Sequence, residues 1–400
     1  MVVHTLKKKR IIVILGSLAA IGPFSIDMYL PGFPAIAREL GTDIGHVALS
    51  LSSFFIGISA GQLLYGPVVD RFGRKKPLLI GLALYCAAAI GCAMAPSIAA
   101  LIALRLFLAL GGCAGIVAGR AVVRDLFPVS ETAKVFSMLM LVSGIAPIIA
   151  PSVGGIVVAS FGWRMIFVAL AAFSAVMIWT VVRSFPDSRA PDPAVSLRLQ
   201  KIFSQYAEIV RNPQFVAYAA AGGFAYAGMF AYISEASFIF MGLFGYTELE
   251  FGRFFAMNAL GLMAGSQLNN LWLRTHDSAK IVRIVGMLLV AVTLMLAGIN
   301  ALAGVSQWGT IVMLFLYLLL LGFLNPNTAA LSLTPFTHNA GSASALLGAF
   351  QMFAGAAASA LASSLHDGTP LPMAGVMAGC ALASFLFVQY HEARKRSAIS

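Results

Sequence analysis

Three ionisable side chains stand inside long apolar runs, where a charge has few ways to exist. Asp27 lies in the first run, bracketed by Pro23 and Pro31; Arg105 lies seven residues past Ile98; Glu235 lies near the end of the run that starts at Phe215. A charge held in hydrocarbon costs about 2.5–3.5 kcal/mol or more. Such a group must face a water-filled cavity, find a partner or, for an acid, hold a proton. Reversible proton binding is therefore the chemistry open to Asp27, unless the helix surfaces early and leaves it interfacial. Arginine does not deprotonate. Arg105 is then expected either to tune a nearby carboxylate and attract anionic groups, or to snorkel outward. Glu235 reads as a second proton site or, preferably, as an exposed mouth residue.

Bond-making chemistry lacks its parts. All six histidines (His4, His46, His276, His338, His366, His391) fall at run ends or in loops, so no metal site is expected within a run. There is no HExxH, GxSxG or GxxxxGK[ST] pattern, so hydrolysis and ATP-driven work are not expected. No cofactor is implied, and the chain does not read as an enzyme. The cysteines Cys86, Cys92, Cys113 and Cys380 lie in apolar runs without a CxxC pair and read as small packing residues. No run shows the repeated polar rings of a channel.

The elements that must position these residues follow from composition. The chain has 400 residues, 60% hydrophobic and 10% charged, against about 25% charged in soluble domains. Mean hydropathy is +0.90. A span needs ~20 mostly apolar residues, and twelve candidate runs are found, from Ile11–Ala37 to Met373–Tyr390. The first is long and lacks a small-residue cleavage site, so it should stay as a helix. With both termini cytoplasmic, 22 of the 26 Lys and Arg residues fall on the inner side, and only Arg38, Arg164 and Arg253 fall outside. Short inner loops collect such cations, so the net charge of +11 needs no nucleic acid partner. The four tryptophans fall near run ends, as in an aromatic belt.

Residues 184–212 form the one long hydrophilic stretch. They divide an N-terminal six-helix half (1–183) from a C-terminal one (213–400). Within them Leu199, Ile202, Phe203, Tyr206, Ile209 and Val210 recur at helical spacing, which predicts an amphipathic helix on the inner membrane face. Two joined halves suit alternating access by rocking about a midplane site.

Between the second and third runs lies Gly66-Pro67-Val68-Val69-Asp70-Arg71-Phe72-Gly73-Arg74-Lys75-Lys76. Asp70 is the odd residue in this basic turn. A carboxylate is stabilised at a helix N-terminus, so Asp70 is expected to latch onto a helix elsewhere, with Gly341-Ser342-Ala343 the expected partner. The stretch resembles the loop signature of the major facilitator superfamily, which Gly66, Asp70, Gly73, Arg74 and Lys75 fill without departure. Arg105 to Gly111 resembles that superfamily's fourth-helix motif, with Leu108 where glutamine is common. Ala146 to Gly155 resembles its antiporter motif: Pro151, Gly154 and Gly155 match, Pro147 precedes them, and Ala150 replaces a glycine.

Ser25 to Pro31, the Gly66–Lys76 loop and Arg120 to Asp125 together are similar to the Bcr/CflA group of drug:proton antiporters. The resemblance implies an all-α membrane protein of twelve transmembrane helices with the major facilitator fold. It also implies proton-coupled efflux of small antimicrobials across the bacterial inner membrane, with Asp27 and Arg105 in proton coupling. The other reading is a same-fold exporter of a narrow metabolite class such as sugars or amino acids. Tyr218, Tyr226 and Met229 share a face of the seventh run and, with Glu235, are candidate substrate contacts. The expected partners are a drug-like molecule, protons and the lipid bilayer, and the chain is expected to be a monomer. A reporter active only outside the inner membrane, fused after Ser400, should be silent; a bright fusion overturns the orientation.

Overall fold

The computed structural model describes all residues except 1, 128, 186, 189–190, 194–196, 198, 303–305, 337–339 and 398–400. His338 of the sequence reading lies outside the described residues. The chain is helical throughout: α1 (Val2–Asp27), α2 (Phe33–Glu39), α3 (Ile44–Phe72), α4 (Lys75–Ala93), α5 (Ile98–Leu126), α6 (Val129–Phe161) and α7 (Arg164–Ser184) come first. After α8 (Leu199–Val210) follow α9 (Pro213–Ser237), α10 (Glu248–Trp272), α11 (Ser278–Leu302), α12 (Gln307–Leu333), α13 (Ala340–Ser364) and α14 (Leu371–Ser397). With α1 and α2 counted as one crossing, six long helices precede α8 and six follow it, as the twelve runs predict. Among the described residues, ten are long and apolar enough to cross a membrane by length and composition. The other two are α6, whose described apolar part is Ile145–Phe161, and α10, diluted by Asn258, Gln267, Asn269 and Asn270. Below, the end carrying α8 and both termini is the linker end, and the opposite one is the far end.

Local sequence sets the helix starts. Asp43 accepts the His46 N–H at 2.8 Å and caps α3. Asn212 accepts the N–H groups of Gln214 and Phe215 to cap α9, with Pro213 at its first position, where a missing N–H costs nothing. Thr247 and Glu250 form a reciprocal capping box on α10.

The exception to straight spans is α1. It stops at Asp27, passes through a 3₁₀ turn at Leu30–Gly32 and resumes as α2. The cause is chemical: Pro31 has no N–H for the Asp27 carbonyl and Pro34 has none for the Leu30 carbonyl. α6 lies directly against the break, since a Cβ at Gly154 would run into the Met28 backbone.

The two sets of six meet along α3 with α13 and along α6 with α10. Ser52 donates to Ser359 at 3.0 Å and Ser59 donates to the Ala349 carbonyl at 2.8 Å. A Cβ on Gly155 would stand 2.6 Å from the Glu248 carbonyl oxygen, and one on Gly252 2.8 Å from Cα of Ser152. Small residues let these backbones touch, the usual basis of helix association in lipid.

Two expectations change. α8 forms, but it docks under the bundle rather than lying free on a membrane face. Tyr206 and Ile209 are buried with Phe215, Ala343 and Leu347, and the Tyr206 hydroxyl donates to the Leu63 carbonyl at 3.2 Å. Among the described side chains of its apolar face, Phe203 and Val210 stay exposed. Trp163 is not a belt residue: it is 2% exposed, with Nε1 donating to Glu39 at 2.6 Å. Trp179 and Trp308 are exposed as a belt requires.

Gly154→Ala should lower stability by about 1–3 kcal/mol, the usual cost of overpacking. Gly379→Ala, which meets open space, should leave the thermal midpoint of the detergent-purified protein unchanged. Equal midpoints for both variants would show that the α1–α6 contact is not close-packed.

Candidate functional site

Asp27 is the last residue of α1 and is 4% exposed, so it is not interfacial. No cation pairs with it among the described residues. It lies within electrostatic reach of Tyr226 and Tyr232, both of α9, so the acid faces across the seam between the two sets of helices. Tyr232 accepts a hydrogen bond from Asn258 Nδ2 at 2.9 Å, which joins α10 to the same cluster. Phe230 packs edge-on to Tyr226 at 5.1 Å and lies 4.0 Å, centroid to centroid, from Phe55 of α3. The arrangement is one carboxylate among aromatic rings and phenols, suited to exchanging a proton and to holding a flat or cationic molecule.

Arg105 is fully buried and does not snorkel. Its Nη1 donates to the Ser25 carbonyl at 2.8 Å, one of the last four carbonyls of α1, which lack helical partners. Its guanidinium lies 4.4 Å from the ring centroids of both Tyr29 and Phe54. Tyr29 is fixed by its hydroxyl contact with Ser50 at 2.8 Å, and Ser25 by Tyr85 at 2.6 Å. Arg105 thus caps the broken helix that ends in Asp27 rather than pairing with the acid. Its Nε and Nη2 have no protein partner.

At the linker end, Gly73 takes φ +82° between α3 and α4, a conformation that favours glycine. Arg74 follows, 2% exposed. It donates to Asp70 at 2.6 Å, to the Val69 carbonyl at 3.0 Å, and from Nε to Asp125 of α5 at 2.7 Å. Burial opposes its charge, but Asp125 and then Asp70 outweigh that and hold the guanidinium protonated above its usual range. Ser188 also donates to Asp125 at 2.9 Å, and Lys75 donates to the Val182 carbonyl at 3.0 Å. Asp70 therefore bonds within its own loop here, not to residues 341–343. Gly66 has open space around it.

Pro147 is half-buried and Pro151, Gly154 and Gly155 are buried on α6, where the two glycines touch the α1 break and the start of α10. The α9 candidates separate. Tyr226 joins Asp27 as described, and Met229 is buried one turn on. Tyr218 bonds Glu392 at 3.5 Å near the linker end. Glu235, ~26 Å further along the helix at 1.5 Å per residue, bonds Ser363 and His366. It is 4% exposed, so the expectation of an exposed mouth residue is wrong: α13 covers it. These four residues do not form one site. Asp125 closes the Arg120 to Asp125 stretch that carries the resemblance but receives no role from it, and Tyr232 and His366 have no sequence signal, since each sits at a helix end or among ordinary apolar neighbours.

Arg105→Lys should destabilise by about 1–3 kcal/mol, since an ammonium cannot cap Ser25 and lie against two rings together. A wild-type thermal midpoint for Arg105→Lys would show that the cap does not hold the α1 break.

Residues 15–359 match the Major Facilitator Superfamily model. Over 370 residues the chain is 32% identical to the uncharacterized MFS-type transporter YdgK of Bacillus subtilis, covering 91% of this chain and 90% of that one. It is 29% identical to the bicyclomycin resistance protein homolog of Haemophilus influenzae, covering 94% of each. The fold is shared with a solved D-xylose-proton symporter at 14% identity and a TM-score of 0.72, over 95% of this chain and 96% of that one. The chain belongs to the major facilitator superfamily of multi-pass membrane transporters.

Proposed function

We propose that this transporter exports small antimicrobial or other xenobiotic compounds across the bacterial inner membrane in exchange for protons. The observation that carries the reading is Asp27, a buried acid without a cation at the broken end of α1, facing the aromatic cluster of the opposite half. A helix interrupted at mid-membrane is where transporters of this architecture build substrate and ion sites. The relative named for bicyclomycin resistance, similar over nearly the full chain, supports a drug as cargo. The charge bias supports a cytoplasmic linker end, with residues 184–212 as the tether between halves; the chain is read as working as a monomer.

In this reading Asp27 loads a proton when the site opens to the periplasm. It gives the proton up when the site opens to the cytoplasm and drug enters. A cationic drug competes with the proton for the same negative charge; a neutral one competes through shape and hydrogen bonds to Tyr226, Tyr232 or Asn258. Arg105 acts at one remove, by fixing the helix end on which Asp27 sits. The seams along α3–α13 and α6–α10 are the surfaces about which the halves rock, with Asp70 and Arg74 controlling the linker end.

Asp27→Asn keeps the side-chain volume and removes the ionisation. Gradient-driven export should fall to background while the protein stays folded. A compound panel on inverted vesicles first finds a drug that dissipates the proton gradient. That drug is then added to purified protein in weak buffer. Wild type should release protons and Asp27→Asn none; equal release from both places the proton elsewhere.

A further inference from the structure

The far end of the bundle holds a buried acid–imidazole pair that the antiport reading does not use. Glu235, in the last turn of α9, is 4% exposed. Its Oε2 lies 3.0 Å from Nδ1 of His366, just beyond α13, and its Oε1 accepts from the Ser363 hydroxyl at 3.2 Å. The Phe238 ring packs edge-on against the imidazole at 4.2 Å. All four residues belong to the C-terminal half. The N-terminal half closes over them at the first turn of α3. A Cβ on Gly45 would stand 3.4 Å from the Ser363 carbonyl oxygen and 3.9 Å from Cβ of His366.

The other side of His366 is open. It lines a vestibule of about 580 Å³, together with Arg38, Thr42, Asp43, Met241 and Tyr246. The imidazole therefore has solvent on one side and a buried carboxylate on the other. A buried carboxylate is strongly disfavoured without a compensating charge. Protonated His366 supplies one through a charge-assisted hydrogen bond, about twice as strong as a neutral one. Neutral His366 leaves Glu235 with weaker neutral donors, directly beneath the seam with α3.

We propose that Glu235 and His366 form a proton-binding site, loaded from the far-end vestibule and separate from Asp27, whose proton holds α3 of one half against α9 and α13 of the other. The remaining charged groups facing this region do not substitute for it. Asp43, the cap of α3, is engaged by His46, 2.5 Å away; burial is the largest single influence and raises its carboxyl, but the hydrogen bonds from His46 together outweigh it and hold the group below the ordinary range. Asp367 is held low chiefly by the Thr369 hydroxyl. Both stay anionic near neutral pH. Arg38 stays cationic, and the Tyr246 phenol bonds Gln307 at 2.7 Å.

The test is the distance between the halves at the far end, read without any substrate. Met94 at the end of α4 and Leu302 at the end of α11 are 74% and 92% exposed and belong to different halves. Spin labels are placed by Met94→Cys and Leu302→Cys, with the four native cysteines replaced by alanine, and the pair is measured in nanodiscs by pulsed electron paramagnetic resonance. Wild type should give one short distance at pH 6 and an added longer population at pH 8.5. His366→Gln and Glu235→Gln should each give the same distribution at both pH values. His46→Gln should respond like wild type, and Asp27→Asn should keep a difference between pH 6 and pH 8.5 even where its populations shift, which separates this site from the antiport proton. An unchanged wild-type distribution, or a wild-type response in His366→Gln, overturns the proposal. If Glu235→Gln does not fold, His366→Gln decides alone, because its glutamine retains a donor to Glu235 without titrating.

Discussion

A helix that stops in the middle of a membrane leaves carbonyls with nothing to accept from, and hydrocarbon offers no water to repair them. The break after Asp27 is such a place, and other elements are arranged around it. Arg105 on α5 answers the Ser25 carbonyl. Ser237 on α9 donates to the Leu30 carbonyl at 2.6 Å, adding to the 3₁₀ bond which that carbonyl accepts from the Phe33 N–H. Gly154 on α6 lets the chain pass close enough for both. The dependence runs the other way too. Arg105 has no carboxylate among its hydrogen-bond partners, and it relies on the negative end of α1 and the faces of Tyr29 and Phe54 to balance its charge. A desolvated cation–π contact is worth about 2 kcal/mol and a cation at a helix C-terminus up to about 2 kcal/mol in a partly buried geometry. These offset much of the burial cost only when all are present. Removing the break or the arginine exposes the other's cost.

The seams between the halves are of a different kind. Among the described residues, serine hydroxyls and glycines recur along them, with one aromatic ring contact, Phe55 against Phe230. Lipid tails are as apolar as leucine, so no hydrophobic force presses helices together in a membrane, and hydrogen bonds there average only about 0.6 kcal/mol. Many small contacts give a definite docking geometry with no single strong bond to break. Glycines bring backbones equally close within a half, as where Gly111 meets the backbone of Tyr85. A seam of many small contacts suits two bodies that move as units against each other.

The helix count was legible because the membrane enforces it: each crossing must be long and apolar, and the loops between must carry the charge. The loop from Gly66 to Lys76 was legible for a related reason, since glycine at a positive φ and a buried arginine with carboxylate partners leave residue types behind. Depth was not legible. Tyr218 and Glu235 belong to one apolar run, yet 17 positions along a helix carry them to opposite ends of the bundle. Nor were partners legible. Arg105 pointed toward a carboxylate on charge grounds, whereas it serves a backbone carbonyl, a group every residue carries and no sequence advertises. α8 was read correctly as amphipathic, but its apolar face says only that something covers it, and the bundle rather than lipid covers Tyr206 and Ile209.

The same reasoning separates the two carboxylates of the Arg74 cluster. Arg74 is almost fully buried, so it needs a counter-charge in every conformation. Asp125 meets that need with contacts at 2.7 and 3.4 Å, and its side chain is only 14% exposed. Asp70 makes one contact and is 49% exposed. Withdrawing Asp125 would strand a buried guanidinium, a loss of about 3–5 kcal/mol. Withdrawing Asp70 exchanges a half-solvated ion pair, worth about 0–1 kcal/mol at an exposed site, for water or for another helix end. A helix N-terminus offers a carboxylate about 0.3–1 kcal/mol, close to what Asp70 would give up. Asp70 is thus the member of the cluster able to change partners at almost no net cost. The latch expected from the sequence is compatible in energy with the bond that Asp70 makes to Arg74 in this structure.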